Sequence, residues 1–231
     1  CMSASIGYSI MKDMTIVDPS QFIITRKRKK YKFALFANSP LCFEAAEWDK
    51  AWHTDVIEIG AGTGQFIVEL AARHPERTYV AIDVKADRLQ KGAREAEARG
   101  LENVRFLRAR ADQVGELFAA HSLRELWLTF SDPFPRKRSA GRRLTHPHFL
   151  NIYAELLTSD GTLNIKHDNP AFFQWSLERL VANGWRIDQL SFDLHESELS
   201  DDYKILTPYE ERWLEEGRVT QFARARATIG I

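Results

Sequence analysis

Apolar and polar residues along the chain follow two periods, one typical of strands and one typical of helices. Short apolar or alternating runs predict strands at VIEIG (56–60), TYVAID (78–83), VRFL (104–107), ELWLTF (125–130), GTLNIK (161–166), WRIDQLSFDL (185–194) and TQFARARA (220–227). Apolar residues at helical spacing, with glycine or proline at the ends, predict helices within 62–75, at 86–99, 114–120, 148–157 and 171–183, and within 207–217. Strands and helices therefore alternate, as they do in α/β proteins.

The order of these elements predicts one doubly wound, Rossmann-like α/β sheet of seven strands, with helices on both faces. Five strand–helix units are followed by two late strands, whose hairpin-like pairing predicts an antiparallel edge strand. We divide the chain into an N-terminal basic segment, 1–53, and a domain at 54–231. The basic segment carries RKRKKYK (26–32), which is either a solvated arm or an RNA contact.

Composition narrows the functional classes. The 231 residues are 44% hydrophobic and 28% charged, which is typical of a globular protein with a substantial core. Lys+Arg and Asp+Glu both total 32, so any nucleic-acid binding must come from local charge. Two cysteines indicate no disulfide framework and no metal site, and favour a cytoplasmic location. We predict no membrane span and, from CMSASIGYSIM at the start, no signal peptide.

A glycine-rich turn, EIGAGTG (58–64), lies where the first clear strand meets its helix. The dinucleotide fingerprint requires a third glycine at the position that Gln65 occupies, and no Gly-Lys-Ser/Thr follows for a P-loop. The pattern that remains is the glycine turn of S-adenosylmethionine methyltransferases. Glycine permits a tight turn and lets a ligand approach the backbone closely.

Acidic residues follow the next strands at the edge where such a ligand would bind. Asp83 ends the second strand and is placed to bind a ribose diol, and Asp112 follows the third and could accept from an adenine amino group. Glu58 precedes the glycines and could face the amino-acid end of the ligand. Asp83 and Asp112 also fit ordinary helix caps, which leaves both interpretations open.

The stretch FSDPFPRKR (130–138) leaves a strand, presents Asp132 between two aromatic residues, and runs into three cations. A carboxylate beside cations could serve a metal, a phosphate, a nucleic acid or only a solvated loop. Asp-Pro is also a common turn. The two prolines stiffen this segment and would hold the carboxylate in place.

Four motifs, GAGTG, FSDPFPRKRSAGRRL, NIKHDN and TPYEERW, together resemble the bacterial tRNA (guanine-N7-)-methyltransferases of the TrmB type. The resemblance runs from about Glu58 to the C-terminus. It implies a class I S-adenosyl-L-methionine-dependent methyltransferase domain at 54–231, which methylates N7 of the variable-loop guanine at position 46 of tRNA. It further implies S-adenosyl-L-methionine as cofactor, no metal, no required protein partner, and a monomer or homodimer.

The same resemblance implies roles for individual residues. Asp132 is the catalytic residue, which orients the guanine. The cofactor-binding residues are Glu58, Gly60, Gly62, Gly64, Asp83, Asp112 and Asp132. The substrate-binding residues are Arg136, Lys166, Asp168, Thr207, Tyr209 and Glu210. The residues that bind the RNA backbone are Lys137, Arg138, Arg142 and Arg143.

Some of these positions have a second interpretation or depart from the family pattern. Asp168 also fits an Asx turn, and Thr207 followed by Pro208 also fits a helix start. Phe134 stands where the family usually has Trp, and His167 where a small hydroxyl residue is common. The polar stretch HESELSDDYK (195–204) predicts a mobile loop that would suit a lid.

Two other functions remain open at this point. One is a methyltransferase of the same fold that acts on another RNA or on protein. The other is a non-catalytic RNA-binding subunit, which a degenerate glycine turn or a missing Asp132 would indicate. In this sequence the glycine turn is intact and Asp132 is present.

Overall fold

The structure is a computed structural model that describes residues 16–22 and 27–228, without the side chains of residues 27–29. The segment in which we predict no signal peptide and part of the basic run 26–32 therefore lie outside the described residues. In the described part, no helix combines the length and the apolar character that a membrane crossing requires.

Within the described residues, eight strands form a single sheet. They are β1 (Cys42–Glu44), β2 (Val56–Ile59), β3 (Tyr79–Asp83), β4 (Val104–Arg108), β5 (Leu123–Thr129), β6 (Leu157–His167), β7 (Trp185–Ser191) and β8 (Gln221–Ala227). Their order across the sheet is β1-β4-β3-β2-β5-β6-β8-β7. The predicted count of seven is wrong by one, because β1 is only three residues long and too short to show a period in the sequence.

Strands β1 to β6 pair in parallel, as the strand–helix alternation predicts. β8 runs antiparallel to both β6 and β7. The antiparallel pairing predicted for this edge of the sheet is therefore confirmed, with β8 one position inside the edge and β7 outermost. β7 ends at Ser191 and not at Leu194 as predicted, because its register with β8 stops at Ser191 and Phe222.

The helices cover both faces of the sheet and create two apolar cores. They are α1 (Lys27–Ala37), α2 (Gln65–Arg73), α3 (Ala86–Ala98), α4 (Val114–Leu117), α5 (Pro147–Leu156), α6 (Pro170–Ala182) and α7 (Pro208–Glu215). One core contains the buried residues of α2 and α3 with Phe36 of α1, and the other contains those of α4 and α5 with Phe173 and Leu180 of α6. The doubly wound architecture is therefore confirmed.

Residues ahead of the predicted boundary at 54 contribute to this sheet. β1 pairs with β4, and Cys42 is buried in the core beside α2 and α3. Trp48 is buried in the other core and donates a hydrogen bond from Nε1 to Leu117 O at 3.0 Å. The division into a basic segment and a domain stays a prediction, but the sheet itself begins before residue 54.

The order of the strands creates a crevice at the carboxyl ends of β2 and β5. β2 pairs with β3 on one side and with β5 on the other. The chain continues from β2 through α2 to β3 on one side of β2. On the other side it continues from β5 through α5 to β6, in the opposite direction across the sheet. At such a switch point the loops diverge, and open α/β sheets bind their ligands there.

Candidate active site

The loop that joins β2 to α2 has three glycines in the left-handed region. φ is 77° at Gly60, 59° at Gly62 and 72° at Gly64, values that side chains disfavour. A Cβ on Gly64 would lie 2.7 Å from the ring of Phe106, whereas a Cβ on Gly62 would meet no atom within 4 Å. Gly64 thus lets α2 pack closely on the sheet, and Gly62 leaves open space beside the backbone.

Asp83 and Asp112 lie at the same edge, at the end of β3 and after β4. Asp83 Oδ2 accepts a hydrogen bond from Gly62 N at 2.9 Å, and Oδ1 accepts one from Lys85 N at 2.8 Å. These bonds support the glycine loop and leave lone pairs for a ligand. Asp112 forms a bidentate pair with Arg110, both distances being 2.9 Å. The hydrogen bond from Arg110 lowers the pKa of Asp112.

Glu58 is a buried carboxyl group directly below the glycine loop, and it is only 1% exposed. Thr129 Oγ1 donates a hydrogen bond to its Oε1, while Oε2 has no partner among the described residues. Burial raises the pKa of Glu58 to about 8, although the Thr129 hydrogen bond and the charge of Lys166 act against this. Glu58 therefore holds a proton at neutral pH.

We expect the free energy of unfolding of the wild-type chain to fall relative to that of Glu58→Gln between about pH 6 and about pH 7, without cofactor. The folded state keeps the proton on Glu58 up to about pH 8, whereas the unfolded chain loses it near pH 4.5. Each pH unit inside this interval therefore favours unfolding by about 1.4 kcal/mol. Urea unfolding at both pH values measures the difference.

The matched control for this experiment is Glu116→Gln, at an exposed glutamate of α4. Its stability is expected to follow that of the wild type across the same pH interval. If the stability of Glu58→Gln also runs parallel to that of the wild type, Glu58 is not protonated in the folded state.

The Asp132 loop (residues 130–136) continues β5 at the carboxyl edge. Because β5 pairs with β2, this loop lies beside the glycine loop. Ser131 is buried, whereas Asp132 is exposed. On either side of Asp132 the backbone is left-handed at a bulky residue, with φ of 49° at Phe130 and 39° at Phe134. The bent loop thus presents the aspartate at the surface.

The cations that follow Asp132 divide into two groups. Those with exposed side chains are Arg136, Lys137, Arg138 and Arg142. Arg143 is half-buried, and its Nε donates to Pro133 O at 2.9 Å while its Nη2 donates to Phe134 O at 3.1 Å. The first group forms a charged surface suited to phosphates. Arg143, predicted to bind the RNA backbone as well, instead binds the Asp132 loop in this structure.

Lys166 and Glu210, both predicted to bind substrate, form a buried ion pair. Their side chains are 0% and 1% exposed, and Nζ lies 2.9 Å from Oε2. Glu210 Oε1 also accepts hydrogen bonds from His195 at 2.8 Å and Thr220 at 2.9 Å, and Lys166 Nζ donates to Ile205 O at 2.9 Å. Burial lowers the pKa of Lys166, against the opposing charge of Glu210. Both side chains are buried in this structure, and their ion pair links β6 to α7.

Helix α7 begins with a capping box. Thr207 Oγ1 accepts a hydrogen bond from Glu210 N at 3.1 Å, and Glu210 Oε2 accepts one from Thr207 N at 3.4 Å. Pro208 occupies the first helical position, where no backbone N–H is needed. The interpretation of TPYE as a helix start is therefore confirmed, and a contact of Thr207 with substrate stays a prediction.

Tyr209 lies on the surface near Asp132, whereas the nearby side chain of Asp168 is only 7% exposed. Burial raises the pKa of Tyr209, and the charges of Asp168 and Asp132 add to the effect. The Tyr209 ring is 44% exposed and its centroid lies 5.3 Å from that of Phe130. Asp168 Oδ2 lies 3.3 Å from Arg218 Nη1. The exposed ring of Tyr209 and the exposed carboxylate of Asp132 are groups that can stack on and hydrogen bond to a guanine base.

Four polar residues around the site were not predicted from the sequence. They are Thr129, Ser131, His195 and Thr220. Thr129 gives one signal, because a polar residue at the end of an apolar strand is costly to bury without a partner. His195 and Thr220 come from separate segments and meet only at Glu210, so no local pattern marks them.

In the polar segment 195–204, predicted to be a mobile lid, His195 contacts Glu210, and Asp202 contacts the far end of α2. Asp202 pairs with Arg73 at 3.1 Å and with His74 at 2.7 Å. Tyr203 is buried and stacks on Phe222, with 4.6 Å between the ring centroids. Since α2 begins at the glycine loop and ends at Arg73, Asp202 lies away from that loop.

Comparisons with known proteins assign the family. A family model described as "Putative methyltransferase" matches residues 53–223. The chain is 36% identical to the tRNA (guanine-N(7)-)-methyltransferase of Brevibacillus brevis over 190 residues, which cover 81% of this chain and 88% of the relative. The chain belongs to the tRNA (guanine-N(7)-)-methyltransferase family. A further tRNA (guanine-N(7)-)-methyltransferase, from Bacteroides thetaiotaomicron, is 33% identical over 218 residues, with coverage of 87% and 86%.

Solved structures agree with the fold. The crystal structure of the 16S rRNA methyltransferase KamB matches this tRNA (guanine-N(7)-)-methyltransferase family member with a TM-score of 0.57 and 18% identity. The match covers 79% of this chain and 90% of that chain. At this identity the likeness concerns the fold alone, and it confirms the predicted class I methyltransferase fold.

S-adenosyl-L-methionine, the cofactor predicted from the glycine turn, is confirmed by membership of the tRNA (guanine-N(7)-)-methyltransferase family. The residues at the carboxyl edge fit this molecule, which carries a ribose diol, an adenine amino group and an ammonium group as donors. Asp83 and Asp112 supply acceptors, Glu58 Oε2 is a buried polar atom without a partner among the described residues, and Gly62 leaves open space. The individual contacts stay predictions.

Proposed function

We propose that the protein transfers the methyl group of S-adenosyl-L-methionine to N7 of guanine 46 in the variable loop of tRNA, forming 7-methylguanosine. The observation that carries this proposal is the exposed Asp132 at the end of β5, beside the glycine loop of β2 and ahead of four exposed cations. A cofactor loop, an acceptor for a base and charges for a backbone thus share one edge of the sheet. The tRNA (guanine-N(7)-)-methyltransferase activity for which the relatives are named supports the same assignment.

The chemistry of guanine N7 agrees with the residues present. N7 carries a lone pair and has no proton to lose, so the attack needs neither a general base nor a metal. S-adenosyl-L-methionine supplies a methyl group activated by the positive charge on sulfur. The task of the protein is to place N7 in line with that methyl group, and such placement alone accelerates reactions strongly.

Asp132 orients the base. Its carboxylate accepts hydrogen bonds from the guanine N1–H and the exocyclic amino group, and its charge favours the positive charge that develops on the purine. The exposed Tyr209 ring stacks on the base, and Asp168 accepts a hydrogen bond from the bound guanosine. Lys166 and Glu210 act from below this surface by holding α7, which carries Tyr209, against β6.

The exposed cations bind the RNA backbone. Arg136, Lys137, Arg138 and Arg142 lie next to Asp132 on the surface, where phosphates attract them without regard to sequence. Asp132 therefore binds the guanine base, and the four cations bind the phosphate backbone of the tRNA. The proposal includes a cytoplasmic location and action as a monomer or homodimer without a protein partner, which the family resemblance supports.

We expect labelled S-adenosyl-L-methionine to methylate a tRNA transcript that has guanine at position 46, and not the same transcript with adenine there. Adenine has no N1–H and no amino group at the guanine position, so Asp132 loses both hydrogen bonds. Nucleoside digestion of the product should yield 7-methylguanosine. Transfer that survives the replacement, or another methylated nucleoside, would assign the fold to a different substrate.

The two other functions have their own signatures in the same experiment. A methyltransferase of ribosomal RNA or protein would label those substrates and leave both transcripts unlabelled. A non-catalytic RNA-binding subunit would give no heat on titration with S-adenosyl-L-methionine in a calorimeter, although it would still retain tRNA on a filter.

A further inference from the structure

The Asp132 loop adopts a backbone that its own sequence disfavours. Phe130 and Phe134 are left-handed, with φ of 49° and 39°, and neither is a glycine that would accept this conformation freely. Such strain persists only where surrounding contacts hold it. The contacts that hold this loop are therefore the contacts that fix the position of the Asp132 carboxylate.

Arg143 supplies two of these contacts. Its guanidinium donates from Nε to Pro133 O at 2.9 Å and from Nη2 to Phe134 O at 3.1 Å. The carbon of the same guanidinium lies 4.4 Å from the ring centroid of Trp175 in α6. The fork of donors on one plane and the stacked aromatic ring require arginine, because the ammonium of lysine has neither the fork nor the flat face.

His167 supplies a third contact. Its Nδ1 accepts a hydrogen bond from Asn169 N at 2.9 Å, so the proton is on Nε2, which donates to Ser131 O at 2.8 Å. The imidazole is 3% exposed, and its centroid lies 4.4 Å from that of Phe172 in α6. Carbonyl groups on both sides of Asp132 thus receive donors from two side chains that rest on α6.

The neighbouring arginine behaves differently, although the sequence Arg142-Arg143 gives no reason to separate them. Arg142 is exposed, and its guanidinium carbon lies 4.4 Å from the ring centroid of Phe134. It makes no hydrogen bond or ion pair to any other described residue, so its donors are available to a phosphate. One arginine faces solvent and the other faces the loop.

We propose that Arg143 and His167 are positioning residues that brace the Asp132 loop and thereby set the rate of methyl transfer, whereas Arg142 contributes charge to RNA binding. This inference rests on the proposed function. It replaces the predicted role of Arg143 as a phosphate contact by a role in the geometry of catalysis.

The test compares Arg143→Lys with Arg94→Lys, because both keep the positive charge and only the first removes a guanidinium that contacts the Asp132 loop. Arg143→Lys is expected to lower the single-turnover rate of tRNA methylation by roughly tenfold to 100-fold, since small misplacements are costly. The KM for tRNA and its dependence on salt stay at wild-type values. Arg94→Lys is expected to retain the wild-type rate and KM, because Arg94 is an exposed residue of α3 outside the site.

His167→Phe is the second variant, which keeps an aromatic ring against Phe172 and removes the donor to Ser131 O. It is expected to lower the same rate with KM unchanged. Arg142→Ala is expected to raise the KM for tRNA instead. It should also reduce, by about one, the slope of the logarithm of tRNA affinity against the logarithm of salt concentration. A wild-type rate in both Arg143→Lys and His167→Phe, or a change confined to KM and the salt slope, would overturn the proposal.

Hydrogen exchange gives a measurement that does not depend on activity. The amides of Phe130, Ser131, Asp132, Phe134 and Arg136 are expected to exchange faster in Arg143→Lys than in the wild type and at the wild-type rate in Arg94→Lys, with melting temperature as the folding control. If the wild type fails to methylate tRNA but this pattern holds, the proposed function fails and the brace stands. Equal exchange in all three proteins refutes the brace whatever the activity.

Discussion

Asp132→Ala is expected to lower the single-turnover rate of methyl transfer to tRNA by roughly 10²–10³-fold, with much less effect on cofactor affinity. The carboxylate is exposed at the end of a bent, braced loop, so it reaches the base without rearrangement. Alanine removes the acceptor for the base and the negative charge that favours a cationic purine. Quench-flow with labelled cofactor measures the rate, and calorimetry measures the cofactor affinity.

The matched control is Asp160→Ala. Asp160 is an exposed aspartate near the start of β6, at the end of that strand away from the site. This variant is expected to keep the wild-type rate. A loss of rate below about tenfold in Asp132→Ala, or an equal loss of cofactor affinity, would move the catalytic role to another residue.

Glu210→Ala is expected to lower the free energy of unfolding by roughly 3–5 kcal/mol, because it leaves the Lys166 ammonium buried without a counter-charge. Lys166 is 0% exposed, and the only other hydrogen bond of its Nζ among the described residues goes to Ile205 O. The same substitution removes the acceptor of His195 and Thr220. Urea unfolding of the wild type and the variant measures the loss.

Two further variants separate the buried charge from general damage to α7. Glu211→Ala changes the adjacent glutamate, which is exposed, and is expected to cost less than about 1 kcal/mol. Lys166→Met combined with Glu210→Ala removes both charges and should recover much of the stability lost in Glu210→Ala. If the double variant is no more stable than Glu210→Ala, the charge of Lys166 is not the cause.

The sequence was sufficient for the parts of the fold that depend on local patterns. The strand–glycine–helix unit around Gly60 to Gly64 was predicted because the apolar period changes there and because glycine is required at positive φ. The strand at Cys42–Glu44 was missed because three residues do not display a period. Its place in the sheet comes from pairing with β4, which is distant in sequence.

The candidate site was predicted less completely than the fold, for a physical reason. A sequence motif names residue types, but the partner of each side chain depends on segments that meet only in the folded chain. Lys166 and Glu210 belong to motifs read as substrate contacts, yet each finds its counter-charge in the other. Arg142 and Arg143 are identical in type and adjacent, and only their surroundings distinguish them.

The insertion of β8 between β6 and β7 constrains the order in which the chain can fold during synthesis. β6 pairs with β5 on one side as soon as both strands have emerged from the ribosome, but its other side waits for residues 221–227. Until then β6 is an open edge, which favours pairing with other chains. Thr220, which binds Glu210, arrives with the same strand. A nascent chain that stops before residue 221 therefore contains the glycine loop and Asp132, but the backbone groups on one side of β6 are unpaired. We expect such a chain to depend on chaperones until β8 is synthesised.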